Sequence, residues 1–206
     1  MLRKTVLISA VVALLTVTGS ARGMNAGGDG SKGHSIHHGS QGMVYSDRTK
    51  GDLLTDIPLS ELTDTQKEEL LFMIEEEKVA RDVYTHLYNT WNVRVFSNIA
   101  RAEQRHVDAI QALLDRYELE APLTLDDEGV FENDKLQALY DELIAKGERS
   151  LVDALSVGVT IEEMDIADLE EILDVGVPED FAMIYENLLK GSYHHLNAFN
   201  RQLARQ

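Results

Sequence analysis

The sequence predicts an all-α protein: a four-helix bundle in which a long crossover containing a short extra helix joins helices 2 and 3. Three observations predict this fold class. Apolar residues recur at three- and four-residue steps in four separate stretches, which marks the core-facing side of a helix. No stretch alternates with a period of two, so no sheet is expected. The links between the stretches are short, long and short in turn, as two hairpins and a crossover require.

Helices 1 and 2 are predicted to form the first hairpin. Thr63, with Gln66 three residues later, makes a capping box that starts helix 1, which runs to about Trp91. Helix 2 covers about Phe96 to Tyr117. A link this short makes the two helices antiparallel neighbours.

The connection that follows, residues 118 to 149, is long, and Pro122 and Gly129 interrupt it. Within it, apolar residues at helical spacing from 136 to 144 predict a shorter amphipathic helix that Gly147 stops. The crossover therefore carries an extra helix outside the four main ones.

Helices 3 and 4 form the second predicted hairpin. Ser150 opens helix 3, Gly176 closes it, and Pro178 is expected in the first turn of helix 4. Gly158 and Thr160 are poor helix formers and could split helix 3, but the apolar stripe continues in phase, which favours a kink. Two hairpins joined by one long crossover are typical of a ferritin-like bundle.

The N-terminal segments predict export. Residues 1–21 have the layout of a signal peptide, with a basic start at Arg3 and Lys4, a mainly apolar run over 6–17 and small residues at 19–21. That run is short for a membrane span, so an N-terminal membrane anchor is the less favoured alternative to a secreted or periplasmic protein. Residues 22–57 read as a flexible Gly/Ser/His linker, and residues 58–206 as the bundle domain. The linker contains three histidines, which either bind metal or are incidental: His34, His37 and His38.

Composition excludes several functions. The formal net charge of −17 argues against a nucleic-acid partner, whose phosphates the protein would repel. Cysteine is absent, so neither a disulfide nor a thiolate metal site can form. The acidic surface either attracts cations or merely keeps the domain soluble.

Six residues with metal-binding side chains stand on stripes that should be apolar. Burying an unpaired carboxylate costs on the order of several kcal/mol, because the group loses its hydration. A bound metal ion offsets this cost well. Carboxylates and imidazoles together suit iron, manganese or zinc. The candidate ligands are Glu77 on helix 1, Glu103 and His106 on helix 2, Glu162 and Asp165 on helix 3, and His195 on helix 4.

The candidate ligands also lie at one depth in the bundle. In an antiparallel hairpin, facing residues are equidistant from the turn. Glu162 and His195 are equidistant from the turn at Pro178. Glu77 is about as far from the turn after Trp91 as Glu103 and His106 are. The stripes are defined by apolar residues alone. The common depth of the candidate ligands is therefore an independent indication that the six residues share a site.

Four segments carry a resemblance to a known family: residues 76–84 (EEKVARDVY), the Glu103-x-x-His106 pair, residues 161–169 (IEEMDIADL) and residues 191–196 (GSYHHL). The chain resembles, over roughly residues 60–200, the family called domain of unknown function 2202, a relative of rubrerythrin and ferritin. The resemblance implies a ferritin-like four-helix bundle. The wider superfamily implies a dinuclear centre, most simply two iron ions with manganese or zinc as alternatives, used for iron oxidation or for oxygen or peroxide chemistry.

The resemblance fails at one ligand position. Helix 4 should offer Glu-x-x-His, but Ser192 stands three residues before His195, and Asp165 on helix 3 is the candidate replacement for the missing carboxylate. Without cysteines for a rubredoxin-type iron, electrons would have to come from an external donor. A homodimer is left open.

The sequence leaves alternative roles open for the candidate ligands and for the residues near them. Arg81 could form an ordinary ion pair with Glu77, and Tyr84 could bond to a ligand, although core packing is favoured for it. The alternative function is a non-enzymatic envelope protein with one structural or stored metal, or a metal-free bundle of paired and protonated acids. His194 is expected to be exposed, and several acids are expected on solvated faces: Glu75, Glu76, Glu163, Asp168, Glu170 and Glu171.

Overall fold

The computed structural model describes Leu54 and residues 56–206. The predicted signal peptide and most of the predicted linker, with its three histidines, lie outside the described residues. Leu54 belongs to that linker by sequence, yet it is buried against the core of the domain. The packed part of the chain therefore reaches a few residues before position 58.

Five helices follow one another from residue 64 onward, and no strand occurs in the described part of the chain. The predicted all-α class and the extra helix in the crossover are thereby confirmed. None of the helices found there is long and apolar enough to cross a membrane. The helices are α1 (Asp64–Trp91), α2 (Arg94–Arg116), α3 (Asp134–Gly147), α4 (Leu151–Val175) and α5 (Glu179–Leu203).

Most of the predicted helix ends are correct. The Thr63 capping box is present, because the Thr63 side chain accepts from the Gln66 amide at 3.2 Å and Gln66 accepts from the Thr63 amide at 3.0 Å. Ser150 caps α4 by accepting from the Asp153 amide. Pro178 lies one residue earlier than predicted, as the N-cap of α5, because its ψ of 149° is extended rather than helical.

Gly158 does not interrupt helix α4, which is continuous from Leu151 to Val175. A Cβ atom at Gly158 would lie 2.5 Å from the Phe199 ring of α5, far inside van der Waals contact. The glycine thus allows close packing of the second hairpin. Its destabilising effect on the helix, about 1 kcal/mol, is offset by the burial of Phe199 against it.

The four long helices pack in the pattern of a four-helix bundle. Helix α1 packs along α2, helix α4 along α5, and the two pairs meet through α2–α5 and α1–α4 contacts. Helices α1 and α2 are antiparallel, because Glu77 contacts His106 while Arg81, further along α1, contacts Gln104, earlier in α2. Helices α4 and α5 are antiparallel for the same reason, since Glu162 contacts His195 and Asp165 contacts Ser192. Helix α3 lies against α1 and α4.

The apolar core is divided into two clusters along the bundle. One contains Leu70–Ile74 of α1, residues 107–114 of α2 and residues 181–188 of α5. The other contains residues 79–87 of α1, residues 95–100 of α2 and Phe199 of α5. On every long helix the candidate ligands fall between the two clusters, so a polar layer crosses the middle of an otherwise apolar core.

Two buried acids away from this layer, Asp82 and Asp180, are neutralised by lysine or arginine. Asp82 receives the Lys78 ammonium at 2.6 Å and the Arg81 guanidinium at 2.8 Å, and it also accepts the Gly129 amide of the crossover. Asp180 binds Arg116 at 2.9 Å in the same way. These pairs anchor the crossover and the N-terminal segment to the bundle.

The prediction that Glu75 lies on a solvated face is wrong. Its side chain is buried and accepts the backbone amides of Glu132 at 2.6 Å and Asn133 at 3.1 Å. The crossover covers this face of α1, and the carboxylate satisfies amides that would otherwise lack partners there.

Candidate metal centre

Glu103 stands at the centre of the polar layer. Its Oε2 lies 2.8 Å from Nδ1 of His106, and its Oε1 lies 2.8 Å from Nδ1 of His195. One carboxylate thus faces an imidazole of its own helix with one oxygen and an imidazole of α5 with the other. Both predicted depth matches are confirmed as contacts, because Glu77 reaches His106 at 3.1 Å and Glu162 reaches His195 at 3.5 Å.

The potential ligands form two adjacent groups that share Glu103. In each group one donor atom per residue lies within 4.8 Å of the others. The first group is Glu77, Glu103 and His106, and the second is Glu103, Glu162 and His195. Each imidazole therefore faces one carboxylate of its own group and one of the two oxygens of Glu103.

The three carboxylates are almost completely buried, with 1% of Glu77 and 2% each of Glu103 and Glu162 exposed. No lysine or arginine among the described residues contacts them. Arg81, the suspected partner of Glu77, instead binds Asp82, Gln104 and the carbonyl of the crossover residue Leu125. The alternative of an ion pair between Arg81 and Glu77 is therefore wrong, and the two imidazoles are the cationic groups that face these carboxylates.

Several buried nitrogen and oxygen atoms in the layer, of the kind that bind metals, have no hydrogen-bond partner. His195 Nδ1 and Glu103 Oε1 lie 2.8 Å apart as an ion pair, and neither atom makes a well-directed hydrogen bond. Glu77 Oε1 is also unpartnered. Buried polar atoms are rarely left in this state without a bound ion or water to satisfy them. Nitrogen and oxygen atoms that converge in this way fit a first-row transition metal.

The protonation states show how the layer is balanced when no metal compensates it. Burial lowers the pKa of His106, but the charges and hydrogen bonds of Glu77 and Glu103 outweigh burial and raise it to about 11. The same competition raises the pKa of His195 to about 10. Burial raises the pKa of Glu103, but the two imidazoles reverse the effect and lower it to about 2. Glu103 is then an anion between two imidazolium groups.

The outer carboxylates shift the other way. Burial, and then the charge of Glu103, raise the pKa of Glu162 to about 8. Burial likewise raises the pKa of Glu77, although His106 partly offsets the shift. A metal ion would displace the protons that these carboxyls and imidazoles otherwise hold.

Tyr84 supports one of the ligands directly. Its hydroxyl donates to Glu162 Oε1 at 2.6 Å, and its ring packs against Phe96 and Phe199. Core packing, favoured from the sequence, is confirmed, and so is the hydrogen bond to a candidate ligand. The bond fixes one oxygen of Glu162 and leaves Oε2 to face His195.

Asp165 and Ser192 form a unit beside the two ligand groups. The Ser192 hydroxyl donates to Asp165 Oδ2, and Asp165 Oδ1 is buried and unpartnered. Asp165 belongs to neither of the two close ligand groups. Ser192 stands where the resemblance would place a glutamate on α5, and Asp165 is the proposed replacement for that carboxylate. Ligation of a metal by Asp165 stays a prediction.

The role of Gly191 was not predicted from the sequence. A Cβ atom at this position would lie 2.7 Å from Nε2 of His106, so the absence of a side chain lets that ring lie against α5. There it stacks on His195 with ring centroids 5.6 Å apart. The available signal was a glycine inside an otherwise regular helix, which usually has a packing reason.

Two further acids were assigned wrongly from the sequence. Glu76 and Asp168 were expected on solvated faces, but only 7% and 5% of these residues are exposed. Each lies at the edge of its stripe, where contact between α1 and α4 decides burial. The other assignments are correct, because Glu163, Glu170, Glu171 and His194 are exposed.

Comparison with known families assigns the chain. The model of the family described as "Uncharacterized protein domain (DUF2202)" matches residues 66–206, which include all six candidate ligands. The chain belongs to the DUF2202 family. The family match spans all five helices apart from the first residues of α1, so the polar layer lies wholly inside the DUF2202 domain.

The chain is also similar to a protein of Methanocaldococcus jannaschii. The chain is 47% identical over 152 residues to "Uncharacterized protein MJ0754" of Methanocaldococcus jannaschii, covering 74% of this chain and 82% of that protein. It is also similar to the crystal structure of hypothetical protein MJ0754 from Methanococcus jannaschii, with a TM-score of 0.70 and 48% identity. That similarity covers 72% of this chain and 85% of the other.

Proposed function

We propose that this protein is a ferritin-like metal protein whose polar layer binds two transition-metal ions, with iron the first choice and manganese or zinc as alternatives. The observation that carries the proposal is the pair of ligand groups that share Glu103, with buried donor atoms left unpartnered. Asp82 and Asp180, two buried acids elsewhere in the domain, are paired with lysine or arginine, whereas these are not. Mixed carboxylate and imidazole donors suit the proposed ions.

The residues of the chain would have distinct roles. Glu103 would be shared between the ions, and His106 and His195 would each serve one of them. Glu77 and Glu162 would complete the two groups, with Glu162 held in place by Tyr84. The apolar clusters on both sides would exclude bulk water from the layer.

Bound iron would supply redox chemistry toward oxygen, peroxide or ferrous iron. The side chains would hold the ions and accept or release protons at the two imidazoles. Because the chain lacks cysteine, a continuing reaction would need electrons from an external donor. Export of the protein, with cleavage after residue 21, completes the proposal, and N-terminal sequencing of protein from its host tests it: Met1 retained on cytoplasmic protein contradicts export.

Metal content is the decisive measurement. The full chain carrying His34→Ala, His37→Ala and His38→Ala removes the linker histidines as competing ligands, whereas truncation at 57 would delete the buried Leu54. After anaerobic loading with ferrous iron and desalting, elemental analysis should find close to two ions per chain. One ion or none favours the alternative, a non-enzymatic protein with a single structural or stored metal or with none.

Turnover is a separate question from binding. With two ions bound, consumption of oxygen or peroxide over many cycles in the presence of a chemical reductant supports redox catalysis. A single stoichiometric reaction, or none, supports metal storage instead. Glu103→Gln provides the matched protein without the shared ligand, and Glu163→Gln, an exposed acid on α4, provides the charge control.

A further inference from the structure

A series of acids on α4 leads from the polar layer to the protein surface. Glu162, Asp165, Asp168 and Glu171 follow one another at three-residue steps. Three residues turn an α-helix by about 300° and advance it by about 4.5 Å, so each acid is rotated from the last. The first three are buried and Glu171 is exposed, so the series winds from the interior to solvent.

Helix α1 presents matching acids to this series. Glu69 and Glu76 are one heptad apart, and together with Asp168 and Glu171 they line a cavity of about 10 Å³ between α1 and α4. That volume is about the minimum that holds one water-sized particle. The other lining residues are apolar, and within the described chain no lysine or arginine borders this cavity.

Three carboxylate oxygens of the inner two acids receive no hydrogen bond from an N–H or O–H donor of another residue. Both oxygens of Glu76 and Oδ2 of Asp168 are buried and unpartnered, although the residues are only 7% and 5% exposed. Asp82, four residues further along α1 from Lys78, is comparably buried but binds that lysine, Arg81 and a backbone amide. A cation bound in a cavity of this size would satisfy these carboxylate oxygens together.

Glu76 also connects the cavity to the metal centre. It lines a second cavity of about 10 Å³, whose other acidic residues are Glu77 and Asp165. Glu76 thus borders the outer cavity on one side and a proposed ligand of the centre on the other. The apolar core surrounds the remaining faces of the second cavity.

We propose that Glu76 and Asp168, with Glu69 and Glu171 at the outer end, form a binding site for a divalent cation on its way to the polar layer. The site is a second metal site, and it rests on the proposed function only for the destination of the ion. Acids graded from exposed to buried would concentrate cations at the surface and replace their hydration stepwise.

Anomalous diffraction from crystals of the full chain soaked in Mn²⁺ tests the site in the unaltered protein. The expected result is a peak between Glu76 and Asp168, in addition to peaks in the polar layer. Peaks in the polar layer alone, at saturating Mn²⁺, would overturn the second site while supporting the proposed function. A peak at Glu76 and Asp168 alone would support the second site and overturn the proposed function.

Uptake kinetics test the route. The double variant Glu76→Gln/Asp168→Asn is compared with Glu68→Gln/Glu163→Gln, which removes two exposed acids from the same two helices. Stopped-flow absorption of Co²⁺ reports filling of the centre. The first variant should fill about tenfold more slowly or worse, the low end of the effect of charge-lined clefts on association rates, and should reach the same final spectrum. The control should match the unaltered chain.

Equal filling rates for both double variants would overturn the route. Failure of the unaltered chain to develop a Co²⁺ spectrum would instead count against the metal centre, and the Mn²⁺ diffraction experiment would then decide the second site alone. Neither variant removes a positive partner, so loss of folding is not expected from either.

Discussion

Replacement of Glu103 by glutamine is the sharpest test of the polar layer. Glutamine keeps the shape of the protonated carboxyl and removes the charge that lies 2.8 Å from both imidazoles. From the sequence alone, clustered carboxylates should repel one another, so the change should stabilise the metal-free protein. The structure predicts the opposite, because two imidazolium groups flank this carboxylate.

The magnitude follows from the pKa of Glu103, which falls from 4.5 to about 2 in the folded protein. Each unit corresponds to about 1.4 kcal/mol, so ionised Glu103 stabilises the metal-free fold by about 3 kcal/mol. A carboxyl whose pKa is lowered by folding contributes this stability above pH 4.5 and loses it as the pH falls toward 2. At pH 7, therefore, Glu103→Gln should lower the free energy of unfolding by about 3 kcal/mol.

The assay is urea unfolding followed by circular dichroism at pH 7 with a chelator present, on Glu103→Gln and on the control Glu163→Gln. The control should change stability by less than about 0.5 kcal/mol because its side chain is exposed. In the presence of metal, Glu103→Gln should also lose most of its ion content. A metal-free Glu103→Gln protein as stable as the parent, or more stable, would refute the stabilisation of the Glu103 carboxylate by the two imidazolium groups.

The remaining predictions concern pH, Tyr84 and Gly191. Folding raises the pKa of the two imidazoles from 6.5 to about 11 and about 10, and of Glu162 from 4.5 to about 8, so their stabilisation is present at low pH and is lost as pH rises. The melting temperature of metal-free protein should accordingly fall between pH 5 and pH 9, and a rise over that interval contradicts these protonation states. Tyr84→Phe should weaken metal binding about tenfold by freeing Glu162, whereas Tyr193→Phe, at an exposed tyrosine, should not; equal titration curves for the two variants count against the orienting bond. Gly191→Ala should displace the His106 ring, because Nε2 of that ring lies 2.7 Å from the added Cβ, and metal content should fall. This loss is expected although alanine improves helix propensity by about 1 kcal/mol. Unchanged metal content in a more stable variant would show that the ring is not a ligand.

The predicted site residues came together because helical periodicity and turn position are both readable in the chain. Glu77 with His106, and Glu162 with His195, were paired by their distance from a turn, and both pairs are in contact. The capping residues Thr63 and Ser150 were equally readable, because a cap involves residues only three positions apart.

The partners of individual charges were not readable. Arg81 stands four residues from Glu77, which suggested a pair, but the crossover offers it the Leu125 carbonyl and Asp82 lies beside it. Glu75 is buried for the same reason, since crossover amides cover it. A residue at the edge of a helical stripe becomes buried or exposed according to what packs beside it, and that choice depends on residues about fifty positions away in the chain.

The sequence by itself determined the helices, their order, and the depth at which acids and histidines interrupt the apolar stripes, because these depend on local spacing and on the lengths of the links. Only the tertiary structure decided that Glu103 is shared by two imidazoles, that Gly191 makes room for His106, and that Glu76 and Asp168 line one cavity. Such contacts depend on how far each helix is rotated about its axis against its neighbours. Side-chain packing across the whole bundle sets that rotation, and no local pattern encodes it.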